Sequence, residues 1–196
     1  MAETVADQEM LDKSVALLRE PATPQDLQIT VCAMFTACAT HSAELAQRIL
    51  DAGSVTRLIT LLQPTSHSDT KVQASALRCL AHLSSHDAAG AGIVAHAGAG
   101  PAAIRHATAL DPTLRRSAAS LLHQLAARTP ELCTAVASEG CVTALISALR
   151  ADHGTQHALA PLMALGHIGS CAATFARVVR IYDINTAVAL SVRACV

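Results

Sequence analysis

Cys79, His82 and His86 stand three and four residues apart, so a helix would bring all three near one face, as a zinc site requires. No fourth ligand is in view, however, and His86 falls where that helix should end. His153 and His157 form another pair four residues apart, without a thiol or carboxylate beside them. Cys133 and His123 have the types of a nucleophile and its base, but nothing in the sequence places them together. Gly90-Ala91-Gly92, Gly98-Ala99-Gly100 and Gly166-His167-Ile168-Gly169 resemble fragments of phosphate-cradling loops. Such a loop needs a preceding strand, and the apolar pattern offers none. The chain is therefore expected to hold no metal and no cofactor, and to perform no catalysis.

A different chemistry is open to the arginines. Arg105, Arg115, Arg116 and Arg128 concentrate positive charge in one stretch. Arg115 and Arg116 would open a long helix at the edge of a groove and could dock an acidic partner tail.

These side chains sit on a repeated framework. His41-Ser42-Ala43-Glu44-Leu45, His86-Asp87, Arg128-Thr129-Pro130-Glu131-Leu132 and Cys171-Ala172 begin similar segments at spacings of 45, 42 and 43 residues. A period in the low forties with helical patterning inside it marks a stacked α-solenoid. Each segment reads as a short helix (Glu44–Asp51, Ala88–Ala97, Glu131–Ser138, Ala173–Ile181), a second helix (Val55–Leu62, Gly100–Leu110, Val142–Leu149, Asn185–Arg193) and a long third one. Ser42, Asp87 and Thr129 are good N-caps for the first helices. Gly53, Gly98 and Gly140 are placed to turn the chain between the first and second, since positive φ at a helix end favours glycine. The third helices align as Leu27–Cys38, Val72–Leu83, Leu114–Leu125 and His157–Ile168. Their columns read Phe35, Leu80, Leu122, Leu165; Cys38, Leu83, Leu125, Ile168; and Val31, Ala76, Ala118, Pro161. These positions share one helical face, which a single unit cannot bury. Pro161 should kink or split its helix.

The composition agrees with tight helix stacking: 52% of the 196 residues are hydrophobic, only 2% are aromatic, and there is no Trp. A net charge of −1 argues against non-specific nucleic-acid binding. No stretch of about 20 apolar residues is free of charge or turn signals, so no membrane span is expected. Met1-Ala2-Glu3-Thr4 lacks the basic and apolar regions of a secretory signal. The seven cysteines contain no CxxC pair and fall mostly at apolar helix positions, as reduced buried thiols would.

The short–medium–long triplet with its glycine turn resembles the armadillo repeat, most specifically at Asp51-Ala52-Gly53-Ser54-Val55 and Ala76-Leu77-Arg78-Cys79-Leu80-Ala81-His82-Leu83. The resemblance runs from about residue 5 to 194. It implies an all-α fold, an armadillo-type right-handed superhelix of three-helix repeats, about four in number with partial terminal units. The boundaries expected are a partial repeat over 5–40, repeats over 41–85, 86–127 and 128–170, and a partial repeat over 171–196, forming one solenoid over 1–196. Import-receptor and catenin-like members hold peptides with a ladder of Asn helped, in the receptors, by Trp. The corresponding column here reads Ala37, His82, Gln124, His167, which removes that mechanism.

Arg128-Thr129-Pro130-Glu131-Leu132, Ala137-Ser138-Glu139-Gly140-Cys141-Val142 and Leu159-Ala160-Pro161-Leu162-Met163-Ala164-Leu165-Gly166-His167-Ile168 are similar to the armadillo proteins of motile cilia, of the sperm-associated antigen six type. That resemblance implies a non-catalytic scaffold in the ciliary or flagellar axoneme, with axonemal components or tubulin as partners and a cytoplasmic, cytoskeletal location. The alternative is a cytosolic adaptor that binds an extended peptide around His82, Gln124 and His167. Val188, Leu190 and Val192 would lack the cover of a further third helix, so self-association through that end is also expected.

Overall fold

Ser42, Asp87 and Thr129 each start a short helix with the side-chain oxygen accepting a backbone N–H: from Glu44 at 3.2 Å, Gly90 at 2.6 Å and Leu132 at 3.2 Å. The computed structural model describes residues 2–20, 23–64, 68–152 and 156–171. Helices and the turns between them make up these residues, with no strand among them. The helices in order are α1 (Ala2–Arg19), α2 (Gln25–His41), α3 (Ala43–Asp51), α4 (Ser54–Leu61), α5 (Thr70–Leu83), α6 (Ala88–His96), α7 (Ala99–His106), α8 (Pro112–Arg128), α9 (Pro130–Val136), α10 (Glu139–Ala151) and α11 (Leu159–Cys171). A 3₁₀ turn, Gln156–Ala158, precedes α11. No single described helix is long and apolar enough to cross a membrane.

Two of the three expected glycine turns form. Gly53 has φ 73° and Gly98 φ 91°, and their N–H groups bond back to Leu50 and Ala95. Gly140 behaves differently: it lies within the first turn of α10. Ala137 and Ser138 turn the chain there in extended conformations, and the Ser138 hydroxyl accepts the Cys141 N–H at 3.1 Å. A serine cap replaces the left-handed glycine, and α10 starts earlier than the expected Val142. Gly53→Ala should therefore destabilise by about 1–2 kcal/mol from backbone strain alone, since an added Cβ meets no atom within 4 Å. Gly92, inside α6 and equally open, should gain about 0.4–1 kcal/mol on becoming Ala. Chemical denaturation of the two variants checks both signs.

The chain divides between Ala99 and Gly100 into two compact units. In the first, α2 packs chiefly on α5, with α3 and α4 against them and α1 against α2 and α4. Leu11, Val15 and Leu18 bury one face of α1, while Val31, Phe35, Ala76, Leu80 and Leu83 fill the α2–α5 contact. In the second unit α8 packs on α11, flanked by α9 and α10. Ala118, Leu122, Leu125, Leu165 and Ile168 form its centre. The aligned columns thus face inward within each unit; only Cys38 remains half-buried.

Several other boundaries also differ from the expected ones, those of α7 and α11 among them. α7 stops at His106 rather than Leu110, and beyond it the carbonyls of Ala109 and Leu110 accept bonds from Arg115. α11 begins at Leu159 rather than His157, with Pro161 in its first turn, where a missing N–H costs little. The expected helices over 173–181 and 185–193 lie outside the described residues.

Candidate functional site

The long third helices carry the side chains singled out by the sequence. In the first unit Ala37 is exposed on α2, and His82 is half-buried on α5. The Thr40 hydroxyl lies 3.2 Å from His82 Nδ1 and joins the two helices at this point. Arg78, one turn before His82, is exposed, and Ala33 stands one turn before Ala37. A polar strip therefore runs along the α2–α5 seam. Neither Arg78 nor Thr40 is among the candidate site residues of the sequence, although the spacing of Arg78 from His82 is legible there.

In the second unit Gln124 and His167 are half-buried on α8 and α11. The Gln124 carbonyl accepts a long bond, 3.5 Å, from the Arg128 guanidinium. The His167 ring lies 5.1 Å from that of His123, tilted by 37°. Nδ1 of His123 is buried without a hydrogen-bond partner among the described residues. Met163 and Gly166 are exposed beside His167 on the same helix.

Arg115 corrects the reading of the arginine cluster. It is 8% exposed and paired with Asp152, itself 3% exposed, 37 residues further on. Nε donates to Asp152 Oδ2 at 3.1 Å, Nη2 donates to Oδ1, and Nη1 reaches the carbonyls of Ala109 and Leu110 at 2.8 and 2.7 Å. The hydrogen bond to Asp152 raises the guanidinium's pKa further. Its charge and donors are already used inside the unit, so it cannot receive a partner's acidic tail. Arg116 is exposed. Val188, Leu190 and Val192 lie outside the described residues.

Neither Cys79–His82–His86 nor Cys133–His123 assembles among the described residues, and His153 lies outside them. Cys79 is fully buried, His82 turns to Thr40, and His86 Nε2 meets the Ala39 carbonyl. Among the described residues no three His, Cys, Asp or Glu side chains are grouped to hold an ion. The Cys133 thiol donates to the His167 carbonyl at 3.7 Å rather than to His123. Burial pushes Cys32, Cys133 and Cys141 up to about 12, and Cys79 also upward, so all four stay protonated and inert at neutral pH.

The histidines are sensitive to acid. Burial lowers the pKa of His82, helped by Arg78 and His86; burial also lowers that of His123, helped by His167 and Arg128. Both rings resist protonation in the folded state more than in the unfolded one. Stability is then fully present above the unfolded value near 6.5 and declines as pH falls below it. Melting between pH 7.5 and 5.5 should show a falling Tm, with a smaller fall for His123→Phe; equal slopes would remove His123 from the account.

Residues 42–85, spanning the Ser42 cap, the Gly53 turn and α3–α5, match the Armadillo/beta-catenin-like repeat. An engineered protein solved by crystallography is 25% identical, with 94% of this chain and 69% of that one covered at a TM-score of 0.75.

This is an armadillo-repeat fold.

A designed armadillo repeat protein in complex with peptide (KR)4 is 20% identical, covering 82% of this chain and 64% of that chain, at TM-score 0.71. A computationally designed armadillo repeat protein for modular peptide recognition is 18% identical, with 81% and 64% coverage and the same TM-score. No curated protein matches the chain. In this armadillo fold the third helices α5, α8 and α11 carry His82, Gln124 and His167, as their shared column requires.

Proposed function

We propose that this chain is a non-catalytic scaffold that binds other proteins through the exposed faces of its third helices. The observation that carries the reading is the open polar strip beside each helical core, with Thr40 and His82 in the first unit and Gln124 and His167 in the second. Such side chains offer donors and acceptors to a partner backbone without giving up buried apolar area. The designed armadillo proteins of similar fold recognise peptides, which supports this use of the fold.

The setting we propose is the axoneme of a cilium or flagellum, with axonemal components or tubulin as partners. Its support is the resemblance of residues 128–142 and 159–168 to the ciliary armadillo proteins. The second reading is a cytosolic adaptor for an extended peptide, favoured by those designed peptide binders.

Detergent extraction of ciliated cells expressing the tagged chain separates the two settings. Retention on the axoneme is expected, whereas full release into the soluble fraction favours the adaptor. Ala37→Trp and Gly166→Trp place bulk on the two faces, where both positions are exposed. Combining them should abolish retention while leaving the melting temperature within a few degrees. Unchanged retention of that folded variant would sink the third-helix faces as the working surface.

A further inference from the structure

We propose that Cys133 and Cys171 form a redox-sensitive clasp in the second unit, closing to a disulfide when hydrogen peroxide reaches the exposed thiol. Cys133 is fully buried on α9, whereas Cys171 is exposed in the last turn of α11. The two helices pack directly on one another. One carbonyl brings the pair together. The Cys133 thiol lies 3.7 Å from the His167 oxygen, and the Ser170 hydroxyl donates to the same oxygen at 2.8 Å. That hydroxyl is 3.9 Å from the Cys171 sulfur. Cys171 also follows His167 by one helical turn, and a helical Cβ leans toward the N-terminus, back over the carbonyl one turn earlier. The thiols are near enough to hydrogen-bond, a contact that adds to the burial holding Cys133 protonated.

Closure leaves no polar group stranded. The Cys133 S–H is a weak donor, and the His167 oxygen keeps the Ser170 hydroxyl when that donor is lost. The link would fix the last turn of α11, the helix that carries His167, to α9.

The chemistry begins at Cys171. Cys133 is protonated and shut off from solvent, so by itself it is inert toward an oxidant. Cys171, as its thiolate, attacks the peroxide: an S–O bond forms, the O–O bond breaks, and hydroxide leaves and takes up a proton. Cys133 then gives up its proton and attacks the Cys171 sulfur. The S–S bond forms as hydroxide departs from that sulfur and takes up the proton. Two thiols and one peroxide thus give one disulfide and two waters. With its pKa pushed up to about 12, Cys133 sets the pace of the second step, and its position beside the Cys171 sulfur offsets its small thiolate fraction.

The test exposes the full chain to hydrogen peroxide at mildly alkaline pH, blocks the remaining thiols, and maps linked peptides by mass spectrometry without reduction. A link between Cys133 and Cys171 within one chain is expected as the main product, reversed by dithiothreitol. Cys133→Ala removes the resolving thiol, so a sulfenic-acid probe such as dimedone should label Cys171 about tenfold more than in the parent. Cys171→Ser should leave Cys133 reduced. Labelling of Cys171 that is the same with and without Cys133 would overturn the clasp. So would Cys171 joined instead to Cys195 or to a second chain, or a parent chain in which Cys171 is oxidised while Cys133 stays free.

Discussion

Asp152→Ala should destabilise the second unit by about 3–5 kcal/mol, the cost of leaving a buried charge without its partner. Arg115 would keep only the carbonyls of Ala109 and Leu110, and its Nε and Nη2 donors would face a void. The same guanidinium links three pieces of chain: the loop after α7, the first turn of α8, and the residue that ends α10. Losing it should loosen the start of α8, the helix that carries Gln124. Arg116→Ala, one residue along and exposed, should change stability by less than about 0.5 kcal/mol. The double replacement Arg115→Met with Asp152→Leu should recover much of the loss, because a packed apolar pair needs no counter-charge. Thermal and urea denaturation compare the four proteins. An Asp152→Ala protein as stable as the parent would show that the pair carries no weight.

Phe35→Ala should cost the first unit about 3–5 kcal/mol. Phe35 is fully buried on α2, in the column that also holds Leu80 of α5, and both stand at the main helix contact of that unit. With aromatic residues only 2% of the chain, no neighbouring ring can swing in to fill the gap. The surrounding Val31, Ala76 and Leu77 are smaller and already packed, so a cavity should persist. The strip formed by Thr40 and His82 rests on this contact, and Phe35→Ala should also weaken whatever binds there. Leu110→Ala is the matched control: that leucine is 97% exposed, and its removal should leave stability within about 0.5 kcal/mol. A Phe35→Ala protein that unfolds at the parent's urea midpoint would mean the α2–α5 column does not hold the unit together.

Much of this architecture was legible in the order of residues. Ser42, Asp87 and Thr129 announced helix starts because a short polar side chain before an apolar run has one good use, to hold orphan N–H groups. Gly53 and Gly98 announced turns for the same local reason. The columns through Phe35, Leu80, Leu122 and Leu165 are a matter of period, and period survives in one dimension. Where local signals competed, the reading failed. Gly140 looked like Gly53 and Gly98, but Ser138 two residues earlier offered a cap and the helix took it.

The sequence alone determined the helices, their repeat and the side each turns to its core, because these depend on neighbours within a few residues. Only the tertiary structure decided what the charged and polar groups do. Arg115 and Arg116 are chemically alike and adjacent, yet the rotation of about 100° between neighbouring helix residues sends the first inward to Asp152 and leaves the second in water. Arg78 became a candidate contact, and Cys133 a thiol closed to solvent, for the same reason. An ionic or hydrogen-bonding partner is chosen by distance in space, and the groups that supply or withhold it lie tens of residues away along the chain.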